Sequence, residues 1–236
     1  LQGLDALKGV SEDGGDIVIG ALVTQTEVLD SGLLADKCPI LGEAAALIAD
    51  PQIRNCGTMG GNVANGDPGN DMPAVMMALN ASYALTGPGG ERTVAAREFY
   101  EAAYFTARKD DELLTGIRIP VPTAGHGHAY EKLKRKVGDY ATAAAAVILS
   151  MDGGSCASAA IALTNVGQTP LYAEAASQAL TGTSVDADAI ASAAGLAKGI
   201  AEPVADMRGS VEYRTEMAGV MTARAIEAAL ARAQAK

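Results

Sequence analysis

Residues 54–73, RNCGTMGGNVANGDPGNDMP, hold five Gly, four Asn, two Asp and two Pro in a single short segment. This composition is typical of turns, because these residues favour irregular backbone over helix or strand. Apolar residues at helical spacing lie on both sides of the segment, up to residue 50 and again from residue 71. The chain must therefore bring two helices together around a predicted loop whose glycines allow a close backbone approach.

The first half of the sequence predicts strands mixed with short helices. DIVIGALVT (16–24) follows the turn signal SEDGGD and predicts a strand in a hairpin. Thr26 is a predicted helix N-cap, and Pro39 is predicted in the first turn of a second helix. Beyond the glycine-rich segment, we expect a helix followed by a strand in 71–85, and a further strand in 110–122.

The pattern changes after residue 123. Three apolar or alternating runs then predict antiparallel strands joined by short turns: 128–136, 141–151 and 155–167. From residue 171 onwards, small and apolar residues recur at helical spacing. We therefore predict an α+β fold of two domains, 1–123 and 124–236, the second being an antiparallel sheet with a C-terminal helical bundle.

Composition excludes several classes of function. The net charge of −10 argues against a nucleic-acid partner, because phosphates need a basic surface. Three cysteines without CxxC spacing predict neither a disulfide framework nor a metal cluster, and indicate reduced thiols in the cytoplasm. No apolar run reaches the ~18 residues of a membrane span. His126 and His128 form an HxH pair with no third ligand nearby, which favours a turn over a metal site. We predict no metal site and no catalytic nucleophile with its base.

The hexapeptide GTMGGN (57–62) is the strongest candidate for a binding element. Its glycines let backbone N–H groups approach a ligand, and successive N–H groups turned inward form an anion-binding nest suited to phosphate. Thr58 and Asn62 add side-chain hydrogen-bonding groups. The hexapeptide is neither a Walker A nor a Rossmann motif. Taken alone, it fits a plain glycine-rich turn between a helix and a strand equally well.

The wider sequence resembles the FAD-binding medium subunit of the molybdenum hydroxylases, the family that includes xanthine dehydrogenase and aerobic carbon monoxide dehydrogenase. The family pattern R-N-x-G-T-x-G-G-N, followed by P-x-x-D-x-x-P, stands here at Arg54, Asn55, Gly57, Thr58, Gly60, Gly61, Asn62, Pro68, Asp71 and Pro73. EKLKRKVGDYATAAAAV (131–147) and AGVMTARAIEAAL (218–230) are similar to further family segments, so the resemblance covers nearly the whole chain. Four segments are most similar in sequence to the carbon monoxide dehydrogenase branch: DPQIRN, GDPGNDMP, AYEKLKRK and GDYATA.

This resemblance implies a fold for the first domain. It is expected to be an FAD-binding domain of the PCMH/vanillyl-alcohol-oxidase type. The family carries an earlier glycine-rich phosphate loop, which would precede residue 1 of this sequence. The N-terminal lobe that holds this loop is therefore expected to be missing: either the sequence is part of a longer protein, or it binds FAD poorly.

The resemblance also implies cofactor-binding residues. The segment placed against the FAD diphosphate comprises Thr58, Met59, Gly60, Gly61 and Asn62. Asp71 is expected near the ribityl or diphosphate part, and its alternative role is that of a loop residue or helix N-cap. Ile48 is a weaker candidate for contact with the adenine.

Three further residues are expected beside the isoalloxazine ring: Leu114, Lys132 and Tyr140. A cation at Lys132 would stabilise the reduced flavin, and Tyr140 would stack on the ring. Leu114 and Tyr140 have the alternative of simple core packing. Lys132 and the basic residues that follow it have two alternatives, a solvated sheet face or a strip that docks a partner subunit.

Three functional hypotheses follow from the resemblance. The first is an FAD-binding electron-transfer subunit with no catalytic residue of its own. Its partners would be an iron–sulfur small subunit and a molybdopterin large subunit in a dimer of heterotrimers. Its electrons would go to a quinone or cytochrome, at a cytoplasmic location associated with the inner face of the membrane through partners. The second is a stand-alone flavin-dependent oxidoreductase, and the third is a non-enzymatic assembly module that has lost FAD.

Overall fold

The computed structural model describes Leu1 and residues 3–235. Five antiparallel strands form the first sheet, in the spatial order β1 (Val10–Asp13), β2 (Asp16–Gly20), β7 (Leu113–Pro120), β3 (Ser82–Gly87) and β4 (Gly90–Ala95). A separate small hairpin joins β5 (Tyr100–Ala102) to β6 (Phe105–Thr106). Alternation along β2 buries Ile17 and Ile19 completely on one face. The hairpin predicted for DIVIGALVT (16–24) is confirmed, because β1 and β2 are paired in register, although β2 ends at Gly20.

Six short helices lie between β2 and β3 in the chain: α1 (Gln25–Asp30), α2 (Gly32–Lys37), α3 (Ile40–Leu47), α4 (Pro51–Cys56), α5 (Met59–Ala64) and α6 (Asp71–Ala78). The predicted cap at Thr26 is wrong. Thr24 caps α1 instead, because Glu27 stands three residues later and completes a capping box with it. Thr26 lies inside the first turn, where its hydroxyl is 2.6 Å from Asn55 Oδ1. Pro39 occupies the N-cap position of α3, directly before the first turn.

The glycine-rich segment is largely helical, which corrects the predicted loop. It contains the end of α4, all of α5 and the start of α6. Local caps explain this: the Asp50 carboxylate accepts the Ile53 N–H at the start of α4, and Thr58 caps α5. Every residue of α6 is buried, as expected of a helix that is apolar on all sides. The predicted order of a helix and then a strand in 71–85 is confirmed.

The second sheet is antiparallel, in the spatial order β11 (Leu171–Tyr172), β10 (Ser155–Thr164), β9 (Ala143–Asp152) and β8 (Gly127–Leu133). Three helices follow in the chain: α7 (Glu174–Leu180), α8 (Ala187–Gly199) and α9 (Val211–Gln234). The predicted mixture of antiparallel sheets with C-terminal helices is confirmed. Within the described residues, no helix combines the length and apolar character needed to cross a bilayer.

The Ala-rich strand β9 joins the two hydrophobic cores. Its alternation directs Ala144 and Ala146 to the core that contains α6, and Ala145 and Val147 to the core under the C-terminal helices. Small side chains on both faces allow α6 and α9 to pack closely on opposite sides of the sheet. This arrangement holds the start of α6 beside the end of β8, where the candidate site lies.

Candidate functional site

A groove of three adjoining cavities runs along α5. The β7 cavity, about 220 Å³, contains Leu114; the α5 cavity is about 420 Å³; and the β8 cavity, about 260 Å³, reaches the second sheet. Thr58 and Gly61 line both of the first two cavities, while Asn62 and Asn70 line both the α5 and β8 cavities. The shared residues make the groove continuous from one sheet to the other.

The N-terminus of α5 forms the centre of this groove. The Thr58 hydroxyl accepts the Gly61 N–H at 3.0 Å. The N–H groups of Met59 and Gly60 donate to backbone carbonyls of the segment 21–23, at 2.7 and 2.9 Å. The predicted nest of free N–H groups is therefore wrong, because these donors already attach α5 to the chain that follows β2. A ligand here would meet the outer surface of α5 and not an open ring of donors.

The glycine pair has a packing role that the sequence did not reveal. A Cβ on Gly60 would lie 2.6 Å from Ala21 Cβ and 2.7 Å from the Ala21 carbonyl oxygen. A Cβ on Gly61 would lie 2.9 Å from the Thr58 hydroxyl that caps the helix. All three distances are shorter than a real Cβ contact allows. Gly60 thus lets α5 rest on the end of β2, and Gly61 leaves space for the cap.

Met59 is the one residue of the predicted diphosphate segment that lies away from the groove. Its side chain is fully buried in the core. Asn62 faces the α5 and β8 cavities, and its Oδ1 is buried without a hydrogen-bond partner among the described residues. The side-chain amide of Gln25, beside the α5 cavity, is likewise buried and unpartnered in that part of the chain. Buried amides without partners are costly, so these groups fit a polar ligand in the groove.

Asp71 and Lys132 form a buried ion pair in the β8 cavity. Lys132 Nζ lies 2.7 Å from Asp71 Oδ2, and the two side chains are only 2% and 6% exposed. The Tyr130 hydroxyl donates to Asp71 Oδ1 at 2.5 Å. Burial raises the pKa of the Asp71 carboxyl, while Lys132 and the tyrosine oppose that rise. Asp71 is neither a loop residue nor the N-cap, because it is the first residue of α6 and its carboxylate serves the ion pair.

Tyr140 lies at the mouth of the β8 cavity and is 45% exposed, so the alternative of a buried core tyrosine is wrong. Its hydroxyl lies 3.4 Å from Asp67 Oδ2, and Arg208 Cζ lies 5.5 Å from the ring centroid. Gly69 has no side chain where the ring passes: an added Cβ would be 2.6 Å from Tyr140 Cδ1. The ring is therefore positioned on three sides and keeps free surface towards the cavity.

Leu114 is 7% exposed and belongs to the core of the first sheet as well as lining the β7 cavity. The structure does not bring it together with Lys132 and Tyr140, which line the cavity at the other end of the groove. The prediction that all three contact one ring stays a prediction, and the structure places Leu114 in a different cavity from the other two residues. Ile48, a weaker candidate, lines both the α5 and β8 cavities.

His128 and His126 lie at the junction of the two cores. His128 Nε2 is 3.4 Å from Glu43 Oε1, and the same oxygen is 2.7 Å from Arg232. Glu43 Oε2 accepts the Tyr130 N–H at 3.1 Å. The two imidazole ring centroids are 5.5 Å apart. Among the residues that the structure describes, no three His, Cys, Asp or Glu side chains are arranged to hold a metal. Glu43 therefore connects α3 to β8 and α9.

Glu112, at the edge of the β7 cavity, gives a pH-dependent prediction. Its carboxylate accepts Arg92 Nε at 2.7 Å and Nη2 at 2.8 Å, and these bonds lower the pKa of Glu112 from 4.5 to about 2. Because the folded pKa is depressed, the stabilisation is complete above the unfolded value and is lost as pH falls towards 2. We expect Arg92→Met to lower the free energy of unfolding near neutral pH, with a deficit that shrinks in acid.

Urea unfolding at several pH values measures this deficit. Arg97→Met is the matched control, because Arg97 donates to the Met77 carbonyl and stacks on Tyr172 without a carboxylate partner. Its effect should not change with pH over the acid range. An Arg92→Met deficit that stays constant from neutral pH to pH 3 would contradict the assignment.

Comparisons with known proteins agree with this architecture. A family model described as "FAD binding domain in molybdopterin dehydrogenase" matches residues 1–122, and another described as "CO dehydrogenase flavoprotein C-terminal domain" matches residues 128–229. The chain belongs to the FAD-binding medium chains of the molybdenum hydroxylases. This medium chain is 60% identical to the carbon monoxide dehydrogenase medium chain of Afipia carboxidovorans, over 99% of its own length and 81% of the relative's. The corresponding chain of Hydrogenophaga pseudoflava is 45% identical, over 96% and 79%.

Solved structures extend the similarity to three dimensions. The reconstituted CO dehydrogenase from Oligotropha carboxidovorans superposes on this medium chain with a TM-score of 0.97 at 60% identity, over 98% of this chain and 81% of the other. Quinoline 2-oxidoreductase from Pseudomonas putida 86 gives 0.93 at 35% identity, over 99% and 81%. The backbone around the groove is thus shared with oxidoreductases of this family.

Sequence reasoning missed several residues of the groove in this medium chain. In the sequence, Gln25 is an ordinary residue at the start of a helix. Only the burial of its side-chain amide, without a hydrogen-bond partner among the described residues, identifies it as a candidate ligand contact. Asp67 and Arg208 position the Tyr140 ring, although both residues lie far from Tyr140 in the sequence. The position of Asp67 within the glycine-rich segment was the one available signal, since an Asp there can accept hydrogen bonds from backbone or side-chain donors.

Proposed function

We propose that this medium chain is the FAD-binding, electron-transfer subunit of a molybdenum hydroxylase of the carbon monoxide dehydrogenase type. The observation that carries the proposal is a continuous groove, lined by unpartnered polar groups, in a chain 60% identical to a carbon monoxide dehydrogenase medium chain. Its first domain is proposed to be of the PCMH/vanillyl-alcohol-oxidase type, with the boundary to the second near residue 123. Carbon monoxide is the proposed reducing substrate, acting at a partner subunit.

The groove suggests how this chain would hold FAD. Thr58, Gly61 and Asn62 line its centre, where an elongated dinucleotide would place its diphosphate and ribityl parts. The β8 cavity offers a tyrosine face and an ion pair, which suit the isoalloxazine ring. The β7 cavity at the opposite end has an apolar wall containing Leu114, which suits the adenine half of the dinucleotide. This placement replaces the expectation that Leu114 contacts the ring.

The residues of this chain bind and orient the cofactor and need no acid or base of their own. FAD, when bound, supplies the chemistry of accepting and passing on electrons. Tyr140 would cover one part of the ring and limit access to it, with Asp67 and Arg208 fixing its position. Gln25 and Asn62 would gain hydrogen-bond partners that they otherwise lack.

The proposed partners follow from family membership. They are an iron–sulfur small subunit, which delivers electrons, and a molybdopterin large subunit, in a dimer of heterotrimers. The proposed acceptor is a quinone or a cytochrome. The proposed location is the cytoplasm, with attachment to the inner face of the membrane through these partners. A stand-alone oxidoreductase is less well supported, because among the described residues the carboxylates that line the β8 cavity, Asp71 and Asp139, are both in ion pairs.

Purification of the full-length protein with its partners tests the proposal. We expect about one FAD per medium chain, reduced by carbon monoxide only when the iron–sulfur and molybdenum subunits are present. A complex that contains both partners but holds no flavin would refute the flavin assignment. Flavin reduction by a substrate in the isolated medium chain would instead favour the stand-alone oxidoreductase.

Cys56 provides an independent probe of the groove. It is the exposed thiol among Cys38, Cys56 and Cys156, and it lines the α5 cavity. Burial raises the pKa of the Cys38 thiol to about 12, which suppresses its thiolate. We expect iodoacetamide to modify Cys56 first, and bound FAD to slow that reaction by about tenfold or more.

Peptide mass spectrometry with and without FAD measures this protection. Cys56→Ser should remove the fast-reacting thiol and leave the slow ones unchanged. Equal rates of Cys56 modification in the flavin-bound and flavin-free chains would place the cofactor away from the α5 cavity.

A further inference from the structure

The position of the Tyr140 ring depends on two backbone segments, the turn at 67–69 that the ring passes and the segment 139–142 that carries it. A Cβ added to Gly69 would lie 2.6 Å from Tyr140 Cδ1, so the ring is in close contact with the turn. Asp67 Oδ2 lies 3.4 Å from the Tyr140 hydroxyl, and Asp67 Oδ1 accepts the Gly69 N–H at 2.9 Å. The separation of the two segments therefore determines where the ring stands at the mouth of the β8 cavity.

Asn165, directly after β10, joins these two segments. Its backbone N–H donates to the Pro68 carbonyl at 2.9 Å, and its side-chain Nδ2 donates to the Ala141 carbonyl at 2.6 Å. Pro68 precedes Gly69 in the turn, and Ala141 follows Tyr140 in the chain. A single residue thus spaces the turn from the segment that carries the ring.

Asn165 is itself held in place. Its backbone has a positive φ of 59°, a conformation that asparagine adopts more readily than most residues. Its carbonyl accepts a hydrogen bond from Nη2 of Arg214, a residue of α9 that is 3% exposed. Nε of the same guanidinium donates to the Thr142 carbonyl at 3.1 Å. The bridge is therefore anchored to the second sheet and to α9.

The part of the segment ahead of the ring is restrained differently, by charge. The Asp139 carboxylate lies 2.9 Å from Arg135 and 3.2 Å from Arg208. These ion pairs run within 135–139 and to residue 208, and they do not reach the turn at 67–69. Asn165 acts on the other end of the segment and bonds the turn as well, so it controls the spacing that the ion pairs leave open.

We propose that Asn165 is a positioning residue for the cofactor: by spacing the turn at 67–69 from the segment 139–142, it holds the face of Tyr140 against the isoalloxazine ring and thereby lowers the reduction potential of the flavin. This inference rests on the proposed function, because it requires a flavin ring in the β8 cavity. The face of an aromatic ring is negative, and a reduced flavin is richer in electrons than an oxidised one. Contact with the tyrosine face therefore disfavours the reduced form.

Asn165→Gly in the full complex isolates the side-chain bond. Glycine adopts the same positive φ, so the backbone bonds to Pro68 and Arg214 can remain while the bond to Ala141 is lost. Asn80→Gly is the matched control, because Asn80 also has a positive φ, of 54°, and is exposed at the end of α6.

The readouts are flavin content and the midpoint potential of the bound flavin, measured by equilibrium dye titration. We expect Asn165→Gly to retain its flavin with a midpoint potential shifted upwards, in the same direction as in Tyr140→Ala. Asn80→Gly should keep the wild-type potential. Adding Asn165→Gly to Tyr140→Ala should give no further shift, because the ring that Asn165 positions is already gone.

Four outcomes would overturn the inference. An unchanged potential in Asn165→Gly or in Tyr140→Ala, with the flavin retained, would remove the effect itself. An equal shift in Asn80→Gly would make it unspecific, and a full further shift in the double variant would show that Asn165 acts without the tyrosine. Loss of flavin from Asn165→Gly would show that Asn165 supports the whole cavity. All four differ from failure of the proposed function, in which the wild-type complex itself holds no flavin.

Discussion

Gly60→Val is expected to abolish flavin binding by preventing α5 from docking on the end of β2. Even the first carbon of the new side chain would lie 2.6 Å from Ala21 Cβ and 2.7 Å from its carbonyl oxygen. Those atoms belong to backbone that also accepts the Gly60 N–H, so neither side can yield without losing that bond. Overpacking of this kind costs about 1–3 kcal/mol or more. The displaced α5 would take Thr58, Gly61 and Asn62 out of the groove.

The flavin content of the variant measures the loss of binding, and its urea unfolding measures the loss of stability. Gly42→Ala is the matched control, because Gly42 lies in α3 and an added Cβ meets nothing within 4 Å. It should keep its flavin and gain up to about 1 kcal/mol, since alanine favours helix over glycine. The C-terminal helices should remain folded in both variants. Full flavin occupancy in Gly60→Val would contradict the role of α5 in the groove.

Asp71→Asn is expected to destabilise the protein by about 3–5 kcal/mol, because it leaves the buried ammonium of Lys132 without its counter-ion. The asparagine Oδ1 can still accept a hydrogen bond from the Tyr130 hydroxyl. The measured loss of stability therefore reports on the ion pair alone. The double variant Asp71→Asn with Lys132→Met should recover most of the stability, since it removes the uncompensated charge as well.

Urea unfolding of the two single variants and the double variant measures the coupling between Asp71 and Lys132. A strong positive coupling is expected, because the side chains are 2.7 Å apart and almost fully buried. Losses that simply add in the double variant would show that the pair contributes little to stability.

The periodicity of the sequence was sufficient to predict most elements of the fold. A β-rich run after a turn signal identified β2, and helical spacing identified α9, which is packed on one face only. It failed in the glycine-rich segment, where composition favoured a loop and tertiary contacts produced a helix. The Met59 and Gly60 donors are satisfied by residues 21–23, a pairing that no local pattern encodes. The cap lies at Thr24 and not at Thr26, because Glu27 stands three residues after Thr24 whereas the apolar Leu29 stands three residues after Thr26.

The sequence predicted which residues line the candidate site better than it predicted how they are arranged. Thr58, Asn62, Lys132 and Tyr140 all line the groove, as the family resemblance indicated. The resemblance could not reveal that Lys132 is neutralised by Asp71, because that depends on the packing of α6 against β8. Nor could the resemblance show that Leu114 lines a different cavity from Lys132 and Tyr140. That difference depends on the position of α5 between the two sheets. The network that fixes Tyr140 depends on three segments that meet only in the fold.

The position of the isoalloxazine ring in a flavin-bound complex tests the central claim most directly. An experimental structure of the full-length chain with its partners and FAD would give that position. We expect the ring in the β8 cavity, against Tyr140 and beside Lys132, with the diphosphate crossing Thr58–Asn62. A ring lying against Leu114 in the β7 cavity, or an FAD bound outside the groove, would contradict it.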